Sequence, residues 1–114
     1  MTDFSFQLYS ARNFPPLEPI LQRLAALGYT EVEPFGGQFG DPKALAASIK
    51  AAGLTAPTAH VGLDLLKDTA KTIDIAGTLG IKTLFCPAIG KDQRSQDEGE
   101  WNKLADTLAG LAAT

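Results

Sequence analysis

An α/β fold built from four consecutive βα units on a parallel sheet is predicted by three features of this 114-residue sequence. Short segments carrying aromatic and β-branched residues alternate with longer ones whose apolar residues recur at helical spacing. The joint from helix to strand repeats. Leu27-Gly28-Tyr-Thr, Ala52-Gly53-Leu-Thr and Leu79-Gly80-Ile-Lys each read helix end, glycine, apolar residue, polar residue, with a period of about 26 residues. No linker or low-complexity run interrupts the chain, so residues 1–114 read as one domain. Alternating β and α elements imply parallel strands joined by right-handed crossovers.

Phe4-Ser-Phe-Gln-Leu-Tyr9 alternates and opens the chain as the first strand, ending in the polar loop up to Asn13. Pro15 and Pro16 open the first helix, where a missing amide donor costs little. Leu17, Leu21, Leu24 and Leu27 give it an apolar face, and Gly28 stops it. Tyr29–Phe35 is the second strand. Asp41 caps the second helix, with Pro42 as its first residue and Leu45, Ile49 and Ala52 on its buried side. The third strand runs from Gly53 to His60. Pro57 is awkward there, because an interior strand needs its amide donors, and is expected early in the strand or at a bulge. The third helix is expected from about Asp64 to Leu79, with Leu66, Ala70, Ile73 and Gly77 along one face. Ile81–Pro87 is the fourth strand. A charged loop, 91–97, leads to a last helix with Trp101, Leu104, Leu108 and Leu111 at near-helical spacing.

Two architectures suit this order: a compact doubly wound domain, or half of a (β/α)8 barrel, which needs about 250 residues. The last helix favours the half barrel, because no further glycine–strand joint follows it before Thr114. The end of the chain therefore reads as a truncation.

Composition narrows the function. Formal charge is −3 and basic residues are scattered, so no nucleic-acid footprint is present. The start, Met-Thr-Asp-Phe, has neither a charged nor an apolar leader region, and no apolar run is long enough to span a membrane. The one cysteine excludes an internal disulfide and a cysteine-based zinc cluster. A cytoplasmic protein is expected.

Parallel α/β folds place chemistry where strands end and loops begin, which singles out Glu33 on the second strand and His60, the only histidine, on the third. Glu33 shares a strand face with Glu31 and could orient a hydroxyl, ligate a metal or be a solvated loop acid. His60 suits a ligand, an acid/base group or a hydrogen-bonded structural residue. Tyr9 and Trp101 could wall a sugar pocket, since flat rings pack on sugar C–H faces, but core packing explains Trp101 better. The loop Gly36-Gly-Gln-Phe-Gly40 is no phosphate cradle: it lacks the G-x-G-x-x-G and P-loop patterns, Pro42 removes a helix-start donor and Asp41 repels an anion. Cys86 before Pro87 reads as a small apolar residue without a reactive role.

Taken together, Gln7-Leu-Tyr-Ser-Ala-Arg12, Gly28-Tyr-Thr-Glu-Val-Glu33, Ala59-His-Val-Gly-Leu63 and Leu79-Gly-Ile-Lys-Thr-Leu84 resemble the sugar phosphate isomerase/epimerase family of xylose-isomerase-like TIM barrels. The resemblance spans essentially the whole chain but only the amino-terminal half of a family barrel. It implies an enzyme in which a divalent metal (Mn, Mg or Zn) at the barrel mouth polarises a sugar carbonyl. A carboxylate then moves a proton between neighbouring carbons through an enediolate. The family's principal Glu, Asp, His and Glu metal ligands lie on later strands, so this chain is expected neither to bind the metal nor to turn over alone. Glu33 and His60, and less closely Tyr9, match positions where the family contacts substrate or metal. Four strands leave two unpaired edges and an apolar inner face, which implies self-association through those edges. The alternative is a non-catalytic half barrel that self-associates or binds a small ligand or partner. An abasic-site nuclease, also related to this family, is disfavoured by the acidic balance.

Overall fold

The three repeated joints fold alike. Gly28, Gly53 and Gly80 have φ of 97°, 77° and 74°, a left-handed conformation that a Cβ disfavours. Each lets a helix end and turn its chain into the next strand. The computed structural model describes residues 3–91, 94 and 97–114. Of the charged loop 91–97, residues 92, 93, 95 and 96 lie outside the described residues.

The strands are β1 (Ser5–Gln7), β2 (Glu31–Glu33), β3 (Thr58–His60) and β4 (Thr83–Phe85), and the helices are α1 (Leu17–Ala26), α2 (Pro42–Ala51), α3 (Leu63–Lys67), α4 (Thr69–Leu79) and α5 (Glu98–Ala112). β1 pairs with β2 and β3 with β4, both parallel. The expected single sheet is thus two two-stranded sheets, joined by parallel bridges Glu31–Thr55 and Phe35–His60. Pro57 is the cause. Val32 N donates to Thr55 O and Thr55 N to Thr30 O, and the next donor in a regular parallel ladder would be residue 57, which has no N–H. Between the two bridges β2 advances four residues and the β3 chain five, so the extra residue is absorbed as a bulge. Pairing resumes when His60 N donates to Pro34 O at 3.0 Å. The strands therefore lie in sequence order, β1-β2-β3-β4, as in half of a (β/α)8 barrel.

Helices line one side of this array, with α1 beside α2, α2 beside α4 and α3 against α4. Between them and the strands lies a core that includes Leu8, Leu21, Leu24, Val32, Leu45, Ile49, Ala59, Ile75 and Leu79. Asp41 caps α2 by accepting from Ala44 N, with Pro42 at the first helical position. α1 begins at Leu17, with Pro16 as its N-cap. Leu27 falls at the C-cap and is exposed rather than on the buried stripe.

Two helices depart from expectation. The third breaks at Asp68, which accepts from Lys71 N and so caps α4 separately from α3. Its buried residues are Thr72, Ile75 and Leu79, not the stripe through Ala70, Ile73 and Gly77. Thr72 fastens the break: its hydroxyl lies 2.6 Å from Leu65 O and 3.0 Å from Asp68 O. Thr72→Val keeps the volume but removes the hydroxyl, leaving the Asp68 N–H as the donor to Leu65 O. It should lower stability by about 1 kcal/mol, the net worth of one hydrogen bond. Urea denaturation checks this, and an unchanged midpoint would show that the break needs no staple.

The other departure is α5, which has no buried residue. Trp101 is 43% exposed rather than in the core. Leu108 and Leu111 of this helix line, with Leu66, Ile73 and Leu84, a cavity of about 620 Å³. No described helix is long and apolar enough to cross a membrane.

Candidate functional site

Side chains alternate along a strand, and the register decides what meets at its end. Phe6 pairs with Val32 across β1 and β2, Ala59 with Leu84 across β3 and β4, and all four pack toward the helices. The residues beside them face the opposite way. Ser5 with Glu31 and Thr58 with Thr83 are the lower pairs, and Gln7 with Glu33 and His60 with Phe85 the upper layer of pairs, at the carboxyl ends of the strands. The bulge sets the two sheets out of step, with His60 opposite Phe35 and Thr58 beside Glu33. This inner face is polar, which overturns the expected apolar one. The alternation hands the apolar residues to the helix side and leaves the inner side hydrophilic.

Three residues of the upper layer touch. Glu33 Oε1 lies 3.0 Å from His60 Nε2 and accepts from Gln7 Nε2 at 3.0 Å. Glu33 Oε2 accepts from the Thr58 hydroxyl at 2.6 Å. Gln7 Nε2 is also 3.2 Å from His60 Nδ1 and 3.1 Å from Nε2. One proton arrangement gives His60 two hydrogen bonds: Nε2–H donates to Glu33 and Nδ1 accepts from Gln7. The approach of Gln7 Nε2 to His60 Nε2 is then a contact between two donors. This tautomer is assigned from the bonding pattern. Phe85 completes the layer, edge-on to the His60 ring with centroids 6.2 Å apart.

The Glu33 side chain is 15% exposed and that of His60 26%. Burial alone would raise the Glu33 pKa. Hydrogen bonds from Thr58 and Gln7 and the charge interaction with His60 more than offset it, so the pKa is lowered from its ordinary value of 4.5. At neutral pH the group is an ionised acceptor. Such a carboxylate beside an imidazole can orient a hydroxyl and take up a proton from it.

The structure brings Glu33 and His60, the two strand-end residues singled out in the sequence, within 3.0 Å of each other. Tyr9 stands further out. It lies in the 3-10 turn Leu8–Ala11 after β1 and is half exposed. Its ring meets Phe35 edge-on at 5.2 Å, and Phe35 bridges His60 through the backbone. Tyr9 thus joins the cluster through Phe35 rather than directly. Gln7 and Thr58 were missed. Both sit at inward positions, Gln7 opposite Glu33 and Thr58 two residues before His60, so strand alternation plus register would have found them.

The implied divalent metal does not fit these residues by themselves. Among the described residues no group of three or more His, Cys, Asp or Glu could hold a metal ion. Glu33 and His60 supply two donors of that kind, and both carboxylate oxygens already accept protein hydrogen bonds. Four or more ligands are usual.

No family model and no curated protein matches the sequence. Among solved structures, the chain is similar to a sugar phosphate isomerase/epimerase from Parabacteroides distasonis, with a TM-score of 0.75 and 21% sequence identity. The match covers 92% of this chain and 44% of that one. The likeness is one of fold: four βα units superpose on part of a barrel about twice as long.

Proposed function

We propose that this chain forms the amino-terminal (βα)4 half of a cytoplasmic sugar or sugar-phosphate isomerase/epimerase, and that Glu33, His60 and Gln7 hold adjacent oxygens of the substrate. The observation that carries the reading is the contact of three polar side chains from β1, β2 and β3 at the carboxyl ends of the strands. That is the catalytic end of parallel α/β barrels. The fold likeness to a protein described as a sugar phosphate isomerase/epimerase supports it.

The reaction in this reading is proton transfer between neighbouring carbons through an enediolate. Glu33, kept ionised, accepts a hydrogen bond from one substrate hydroxyl, and His60 and Gln7 fix the next oxygen. A divalent metal, if used, would polarise the carbonyl. Its donors must come largely from an opposite half of the mouth, supplied by a longer polypeptide or by a second copy paired along the free edges of β1 and β4. The chain alone is expected to bind weakly and not to turn over.

Titration with D-fructose, followed by NMR of the His60 ring and the Gln7 side-chain amide, tests the binding. Saturable shifts in both are expected, with that of Gln7 abolished in His60→Ala. Shifts absent from both groups would remove them from a sugar site. A second reading, a non-catalytic half barrel, is favoured by the engagement of both Glu33 oxygens within the protein. A melting temperature raised by millimolar Mn²⁺ or Mg²⁺ would count against the second reading.

A further inference from the structure

Arg12 follows the 3-10 turn that leaves β1, and it is held in place although it is exposed. Its backbone amide and its Nη1 both donate to Tyr9 O, at 3.3 and 2.8 Å. Its guanidinium carbon lies 3.9 Å from the centroid of the Tyr9 ring, within the range of a cation–π contact. Tyr9 is in turn braced edge-on by Phe35. No described acid forms an ion pair with this cation: the ion pairs among the described residues are His60–Glu33 and Lys103–Glu100.

A guanidinium carries five N–H donors, of which one is used among the described residues. The others belong to a planar fork whose rotamer freedom, worth about 2 kcal/mol in a free side chain, is already restricted by the stack. Such a fork matches phosphate and carboxylate oxygens. Its place also matters. Arg12 closes the turn that begins at the end of β1, where Gln7 meets Glu33 and His60. Tyr9, which carries the cation, meets Phe35, whose backbone bridges His60. With Phe14, Phe35, Gly37 and Gln38, Arg12 lines a cavity of about 240 Å³.

We propose that Arg12, positioned on Tyr9, binds the anionic terminus, phosphate or carboxylate, of a polyol whose hydroxyls meet Glu33 and His60. The polyol half of this statement rests on the function proposed above; the anion half does not. Tyr9 then serves as the platform for the cation rather than as a sugar wall.

Inorganic phosphate and sodium acetate are titrated separately into ¹⁵N-labelled protein, following the Nε–H signals of Arg12, Arg23 and Arg94 and the Tyr9 ring. A saturable response confined to Arg12 and Tyr9 is expected, with the tighter of the two anions naming the terminal group. Arg12→Ala should weaken binding about tenfold, as loss of a charge-assisted hydrogen bond implies. Arg12→Lys should restore only part, because a point charge lacks the fork. Gly37→Ala touches no charge, yet its Cβ would lie 2.7 Å from Phe35 Cε2. It should push the ring from Tyr9 and weaken binding too, with a melting temperature near that of the parent.

An equal response at all three arginines, or unchanged affinity in Arg12→Ala, would overturn the proposal. The fructose titration separates the two ideas. Fructose shifts at His60 without an anion response at Arg12 would sink the anion site alone. The reverse would leave an anion site and remove the sugar.

Discussion

Leu21→Ala is expected to lower stability by about 2–5 kcal/mol, the range for truncating a buried leucine without full collapse of the cavity. Leu21 is completely buried in α1, in the cluster with Leu24, Val32 and Ile49. Single domains have about 5–15 kcal/mol in all, so this one change could remove half of it. Leu27→Ala is the internal control. Leu27 belongs to the same leucine series but is 67% exposed, and its loss should stay within about 0.5 kcal/mol. Urea midpoints measure both. Equal losses at the two positions would mean that α1 is not seated on the strands as described.

Glu33→Gln is expected to cost about 1–3 kcal/mol at neutral pH, the scale of losing hydrogen bonds to an ionised group. Gln keeps one acceptor oxygen but turns an NH₂ toward donors. If its oxygen serves Thr58, the new amide faces the Nε2–H of His60 and the Nε2 of Gln7. The change also alters the response to acid. The folded pKa of Glu33 is lowered, so its contribution is complete above the ordinary carboxylate value and is lost as pH falls through the folded one. Wild type and variant should therefore differ most at neutral pH and converge in acid. Urea denaturation from neutral pH down through the carboxylate range measures this. A gap between the two that stays constant with pH would show that the carboxylate charge contributes nothing.

Much of the candidate site was legible because its residues end strands that the glycine joints delimit. Glu33 and His60 follow Gly28 and Gly53 at strand length, so one rule places both at the same end. Partners were less legible. That Gln7 lies opposite Glu33 depends on the parallel register, which turns in these crossovers do not encode locally. Tyr9 shows the limit from the other direction: it sits at the correct end, but the 3-10 turn rotates its ring onto Phe35 and Arg12. The break at Asp68 was visible as a capping residue in principle, yet the apolar periodicity running through it concealed the change of axis.

By itself the sequence determined the order of elements, the three left-handed helix ends, the Asp41 cap and the disturbance at Pro57. All of these follow from local stereochemistry: a glycine's tolerance of positive φ, a side-chain acceptor at a helix start, an absent N–H. Only the tertiary structure decided which side of each strand faces the helices, which stripe of α4 is buried and how exposed α5 remains. It also gathered Gln7, Glu33, Thr58 and His60 into one hydrogen-bonded group. Those outcomes depend on register and on what lies across a gap, and both are set by contacts between residues far apart in the chain.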